Sequence, residues 1–109
     1  PNRFGVVSPA LVEAMSRRDG VPFDERRQAR LAELFPRDAP LRAAWQWDMI
    51  WGDGGMYKGG YLGQGLYVDP DRELVIAWFG TGEDFSAKRN EMPQVSRQIA
   101  RSGIWTPDP

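Results

Sequence analysis

The segment from Trp45 to Trp51 restricts the possible folds more than any other part of the chain. Trp45, Trp47, Met49 and Trp51 alternate there with Gln46, Asp48 and Ile50. Successive side chains of a strand leave on opposite sides, so this period of two predicts a half-buried strand with a large apolar face. Downstream, Gly52 to Gly55 predicts a turn, and Met56 to Val68 predicts a glycine-broken β segment. Asp69-Pro70-Asp71-Arg72 then predicts a turn into a further strand over Glu73 to Phe79. The segments joined by that turn are expected to lie antiparallel, Leu66 to Val68 beside Leu74 to Trp78. Residues 45–79 are thus expected to form a β-rich region of about three strands.

Helical signals flank this region. Ser8 followed by Pro9 suits an N-cap and first helical position, Leu11, Val12 and Met15 form one apolar stripe, and Gly20 suits a stop. Asp24 can cap a second helix in which Leu31, Leu34 and Phe35 share a face before Pro36 ends it. Residues 8–35 are therefore expected to be helical. A C-terminal helix near 90–102 is expected to bury Val95 and Ile99 and to stop at Gly103. Two helices, an antiparallel sheet and a packing helix make an α+β pattern. Five tryptophans and five phenylalanines bring more apolar area than three strands and one helix can cover. Material outside the chain is expected to complete the core.

Composition removes several classes of function. The net charge of −1 provides no basic footprint for nucleic acid or anionic lipid. With neither cysteine nor histidine, the chain has no disulfide, no thiolate, no common zinc site and no histidine-dependent triad. Neither a cofactor nor a metal is expected. No apolar run approaches the ~20 residues of a membrane span. The first residue is Pro1 rather than methionine, so the sequence is expected to start within a longer one. Compartment is left open, cytoplasmic or periplasmic.

The segment with most chemical content is Lys58-Gly59-Gly60-Tyr61-Leu62-Gly63-Gln64-Gly65. Arginine outnumbers lysine twelve to two, so a lysine beside paired glycines stands out. An ammonium is a compact point charge that can hold a carboxylate or assist proton transfer, whereas guanidinium is a fixed fork. Glycines without Cβ atoms let a substrate approach a strand edge and let backbone N–H groups point at a carbonyl oxygen. A glycine-rich bulge with a solvated lysine explains the same residues without any chemistry.

From Lys58 to Phe79 the chain resembles the closing strands of the serine β-lactamase, penicillin-binding and related esterase superfamily. There a Lys-Thr-Gly box or its variant borders the active site, followed by a segment like GYGGQ, an aromatic strand, an Asp-Pro turn and a second strand. Gly60-Tyr61-Leu62-Gly63-Gln64 and Tyr67 to Ile76 follow that order, and Val7 to Met15 resembles the helix preceding the region. The resemblance implies that residues 1–109 are the C-terminal segment of a β-lactamase-like domain. It also implies that Lys58 is a catalytic residue, that Gly59 and Gly60 bind substrate, and that the Tyr61 backbone N–H is half of an oxyanion hole. Gly59 stands where the family has threonine or serine, so no hydroxyl is present to hold a β-lactam carboxylate. That departure points toward small esters or amides.

The family's Ser-x-x-Lys nucleophile and Tyr-x-Asn or Tyr-x-Ser base are absent. No serine has lysine three positions on, and Tyr57, Tyr61 and Tyr67 have Gly, Gly and Asp two positions on. The implied partner is the missing N-terminal part of the same protein or a second copy of the chain. Two other classes stay open: a non-catalytic binding or scaffold module of the same fold, and a small carbohydrate-binding domain using Trp45, Trp47 and Trp51. For that tryptophan row a place in the core is the simpler explanation. Asp48, Asp53, Asp69, Asp71, Glu83 and Asp84 lie mostly where aspartate caps its own turn. Arg17, Arg18, Arg26, Arg27 and Arg30 suit solvated helix faces.

Overall fold

A computed structural model describes residues 8–11, 21–44, 46–80 and 91–106, with Leu62 described by its backbone alone. The elements are β1 (Val21–Pro22), α1 (Glu25–Leu34), β2 (Arg42–Ala44), β3 (Trp47–Ile50), β4 (Met56–Gly59), β5 (Gly65–Asp69), β6 (Leu74–Trp78) and α2 (Met92–Ser102). All neighbouring strands pair antiparallel in the order β1-β2-β3-β4-β5-β6. The α+β class with an antiparallel sheet is as expected, but the sheet has six strands rather than about three.

One extra strand, β1, interrupts the stretch 8–35 expected to be helical, because Val21 and Pro22 precede the Asp24 cap and pair with Ala43 and Arg42. The others arise where the chain reverses near residues that the apolar pattern joins. Ala44 pairs with Trp47, so the chain turns back between them, with Gln46 at φ 72°. The expected single strand from Trp45 therefore begins at Trp47, and Arg42–Ala44 forms its partner. Trp45 lies outside the described residues. Between β4 and β5 the chain makes a 3₁₀ turn at Tyr61–Gly63, closed by the Gly60 N–H donating to the Gln64 carbonyl at 2.7 Å. The β5–β6 hairpin follows the sequence expectation, with Leu66 opposite Ala77, Tyr67 opposite Ile76 and Val68 opposite Val75.

Helix α1 starts where expected, because the Asp24 side chain accepts the Arg27 N–H at 2.7 Å. The Ser8 hydroxyl likewise accepts the Leu11 N–H at 3.1 Å, and the rest of that first helix lies outside the described residues. Leu31, Phe35, Met49, Trp51, Tyr57, Tyr67 and Ala100 form the core on one face of the sheet. Trp51, 1% exposed, is at its centre, edge-on to Phe35 at 5.4 Å and tilted against Tyr67 at 5.9 Å. Tyr57 stacks on Trp78 at 5.8 Å.

Helix α2 packs on the sheet, but through a different face from the one expected. Pro93, Ser96, Arg97 and Ala100 are buried, whereas Val95 is exposed and Ile99 half-buried. Steps of three and four residues place the first set on a single helical face. Its small residues allow a close approach, and the arginine is accepted because the sheet end offers carboxylates. Gly103 ends the helix at φ 69°, where a left-handed residue is needed.

Candidate functional site

Two charged constellations sit at opposite ends of strands β4 to β6. At the end formed by the β3–β4 and β5–β6 turns, Arg97 is 4% exposed. Its Nε and Nη2 donate to Asp38 at 2.8 and 2.9 Å. Its Nη1 and Nη2 donate to Asp53 at 3.0 Å each, and Nη1 also donates to the Tyr67 hydroxyl at 2.9 Å. A guanidinium has five N–H donors, so all of them are used. The cation also lies over the Trp51 ring at 4.7 Å. Fully buried Asp69 accepts from the Tyr67 hydroxyl and from Arg72 Nη1, both at 2.8 Å, while Arg72 Nη1 also reaches Asp53 at 2.8 Å.

The electrostatics follow from this mutual pairing. Burial pushes the Asp53 carboxyl up, but hydrogen bonds from Arg97, Arg72 and the Gly55 N–H outweigh it and hold the group well below 3.8. Burial, helped by the Asp69 carboxylate, pushes the Tyr67 phenol above its ordinary value against the opposing pull of Arg97. Burial opposes the charge on Arg97, but hydrogen bonds to Asp38, Asp53 and Tyr67 stabilise it, so the guanidinium stays charged. Asp53 and Asp69 also bind turn N–H groups, those of Gly55 and Arg72, in keeping with the turn role expected from sequence. This cluster ties α2 to the sheet and leaves no guanidinium donor of Arg97 for a ligand.

Sequence reasoning did not single out Arg97. The available signal was an arginine on a helix face with Ser96 and Ala100, one turn before Arg101, in a chain with aspartates at several turns.

The other end carries the residues chosen from sequence. Lys58 and Gly59 lie on β4, which is hydrogen-bonded to β3 and β5 and is therefore an inner strand. Lys58 Nζ contacts Asp48 Oδ1 at 3.0 Å, and its side chain is 43% exposed. The other oxygen of Asp48 accepts the Gly59 N–H at 2.7 Å. Gly60 donates to Gln64, so both glycine N–H groups are engaged within the chain. The strand edge expected at Gly59 and Gly60 is thus occupied by a side chain and a turn. Tyr61 opens the 3₁₀ turn, with its side chain 82% exposed.

Close packing of glycines shapes this end. A Cβ on Gly65 would overlap the Trp78 indole, and one on Gly80 would come within 3.0 Å of the Gly63 carbonyl oxygen. Gly63 itself has φ 80°, which favours glycine. A shallow cavity of about 210 Å³ results, lined by Lys58, Gly59, Gly60, Gln64, Trp78 and Phe79 among others. A second cavity of about 280 Å³ has a floor of Leu31, Phe35, Met49 and Tyr57, with Arg27 and Arg30 at its rim.

Trp51 lies in the core, as the simpler explanation of the tryptophan row requires, and so cannot join a three-tryptophan sugar platform. Among the described residues no cluster of three acidic side chains could hold a metal ion, and no helix is long and apolar enough to cross a membrane. Glu83 and Asp84 lie outside the described residues. The chain matches no family model, no curated protein and no solved structure.

Proposed function

We propose that the chain is the C-terminal part of a serine hydrolase of the β-lactamase and penicillin-binding type. The end of the sheet around Lys58 to Gln64 forms one wall of its active site. The observation that carries this reading is the meeting of Lys58, the glycine pair, the turn opened by Tyr61 and a cavity of about 210 Å³ at one end of an antiparallel sheet. The nucleophilic serine and its lysine come from the rest of the protein. In the first step the serine oxygen attacks an ester carbonyl while its proton passes to a base, and the alcohol leaves as the acyl-enzyme forms. Water then releases the carboxylic acid and restores the serine. The Tyr61 N–H serves the carbonyl oxygen. Lys58 acts through its charge near the leaving or carboxyl end of a small ester or amide.

One observation favours a second reading, a non-catalytic module of the same fold. Asp48 already holds both Lys58 and the Gly59 N–H. The test is turnover of nitrophenyl esters by the complete protein, together with covalent labelling by a fluorophosphonate. We expect a labelled serine outside residues 1–109, an inert isolated chain, and a loss of ~10²- to 10³-fold for Gly60→Val if it displaces the Tyr61 donor. Absence of labelling in the complete protein would favour the scaffold. Turnover by the isolated chain, or full activity of Gly60→Val, would overturn the hydrolase mechanism.

A further inference from the structure

We propose that strand β6 is a self-association edge, pairing antiparallel with β6 of a second copy of this chain. Among the described residues β6 is the last strand of the sheet and pairs only with β5. Alternate N–H and C=O groups of such a strand point away from its neighbour and form a template for a further strand. Proteins usually blunt an edge with a charge, a proline, a bulge or short length. From Leu74 to Phe79 the sequence is Leu-Val-Ile-Ala-Trp-Phe, with no charge or proline, and its pairing to β5 runs without a register shift. On the strand's outer face Val75 is 63% exposed, Phe79 84% exposed, and Ala77 exposed between them.

The partner is a second copy because the geometry closes on itself. The opposite edge, β1, has only two residues and ends in Pro22, which lacks an N–H, so head-to-tail growth from β6 onto β1 is disfavoured. A two-fold arrangement centred on Ile76 pairs every residue from Leu74 to Trp78. It places Val75 opposite Ala77 of the second copy and Glu73 opposite Phe79, so no like charges meet. The exposed Val75 and Ala77 then form one apolar stripe across the junction. Pairing through one five-residue strand buries little area, which places the dimer at the weak end of specific interfaces, on the order of micromolar. This inference rests on the sheet alone and is independent of the hydrolase reading.

Sedimentation velocity across the micromolar range, joined to amide hydrogen exchange, tests it. We expect a monomer–dimer equilibrium in which exchange at 74–78 slows as concentration rises. Val75→Lys places a charge on the edge at an exposed position and should weaken the dimer about tenfold or more with an unchanged circular dichroism spectrum. A chain that stays monomeric, or a dimer whose β6 amides exchange at the same rate at all concentrations, would overturn it. So would a dimer unaffected by Val75→Lys in a folded variant. Protection of β6 only in the complete protein, with no dimer, would assign the edge to another segment of that protein and would also overturn it. Sedimentation and exchange read β6, whereas serine labelling in the complete protein reads the hydrolase, so the two proposals can fail separately.

Discussion

Arg97 and Lys58 are both cations paired with aspartate at the ends of the same strands, yet their surroundings separate them. Arg97 is buried, has every donor used and lies over Trp51. Lys58 is half-exposed, has Asp48 as its one carboxylate partner among the described residues and is followed by Gly59 and Gly60. A saturated buried cation organises a core, whereas a partly solvated one keeps part of its hydration. The same kind of charge pair is thus saturated and buried at one end of the sheet and partly solvated at the other.

The largest effect should come from breaking the saturated end. Arg97→Met leaves Asp38, Asp53 and the Tyr67 hydroxyl without their common donor, and removal of one partner from a buried charge pair costs about 3–5 kcal/mol. For a domain of this size that is a large share of total stability. Urea denaturation should show most of it lost, and Arg97→Lys should recover little because an ammonium cannot reproduce the fork. A loss below about 1 kcal/mol would mean that the cluster is not the fastener described here.

A smaller effect separates the glycines at the two ends. A Cβ on Gly55 would collide with the Tyr67 hydroxyl and stand 2.8 Å from Arg97 Nη1, whereas one on Gly59 would meet Tyr57 Oη at 3.3 Å and Asp48 Oδ2 at 3.4 Å. Gly55→Ala should therefore destabilise by about 1–3 kcal/mol, the usual range for overpacking. Gly59→Ala should cost clearly less in the same denaturation assay. Equal losses would erase the difference in packing between Gly55 and Gly59.

The apolar pattern made the class of fold legible, and the Asp-Pro turn made the antiparallel pairing of β5 with β6 legible, because both depend on residues close in sequence. The number of strands was not. Between Ala44 and Trp47 no proline or glycine marks the reversal, the alternation already begins at Trp45, and Gln46 takes a positive φ that its residue type does not announce. The α2 face was misjudged for a related reason. An apolar count favours Val95 and Ile99, while the helix buries Ser96 and Arg97 because distant carboxylates on the Asp38 and Asp53 loops satisfy the cation. Lys58 and its glycines stood out by type, but Asp48 as their partner follows only from the β3–β4 register, in which Met49 faces Tyr57 and Ile50 faces Met56.

Acid should act through the Arg97 end. The folded carboxyl of Asp53 ionises well below 3.8, so its pairing stabilises the fold above that value, and the contribution is lost as pH falls toward the folded value. Melting temperature should be steady near neutrality and should decline below about pH 4 as the unfolded carboxylate begins to bind protons. Asp53→Asn removes this titration, so its melting temperature should be lower at neutral pH and should fall less steeply in acid. An unchanged slope would place the acid sensitivity elsewhere.

The smallest stability effect should come from Lys58→Met, and for that reason it distinguishes best between structure and function. An exposed ion pair contributes about 0–1 kcal/mol, because solvent screens the charges and a long side chain must be ordered. Asp48 also retains its bond to the Gly59 N–H when the ammonium is removed, so the turn keeps its anchor. Denaturation midpoints should therefore shift little. In the complete protein the same change should reduce ester turnover, and Lys58→Arg should restore it only in part because a planar fork cannot take the place of a point charge. Loss of stability comparable to that of Arg97→Met would make Lys58 a second structural fastener. Full turnover with unchanged stability would leave it as a solvated cross-strand pair.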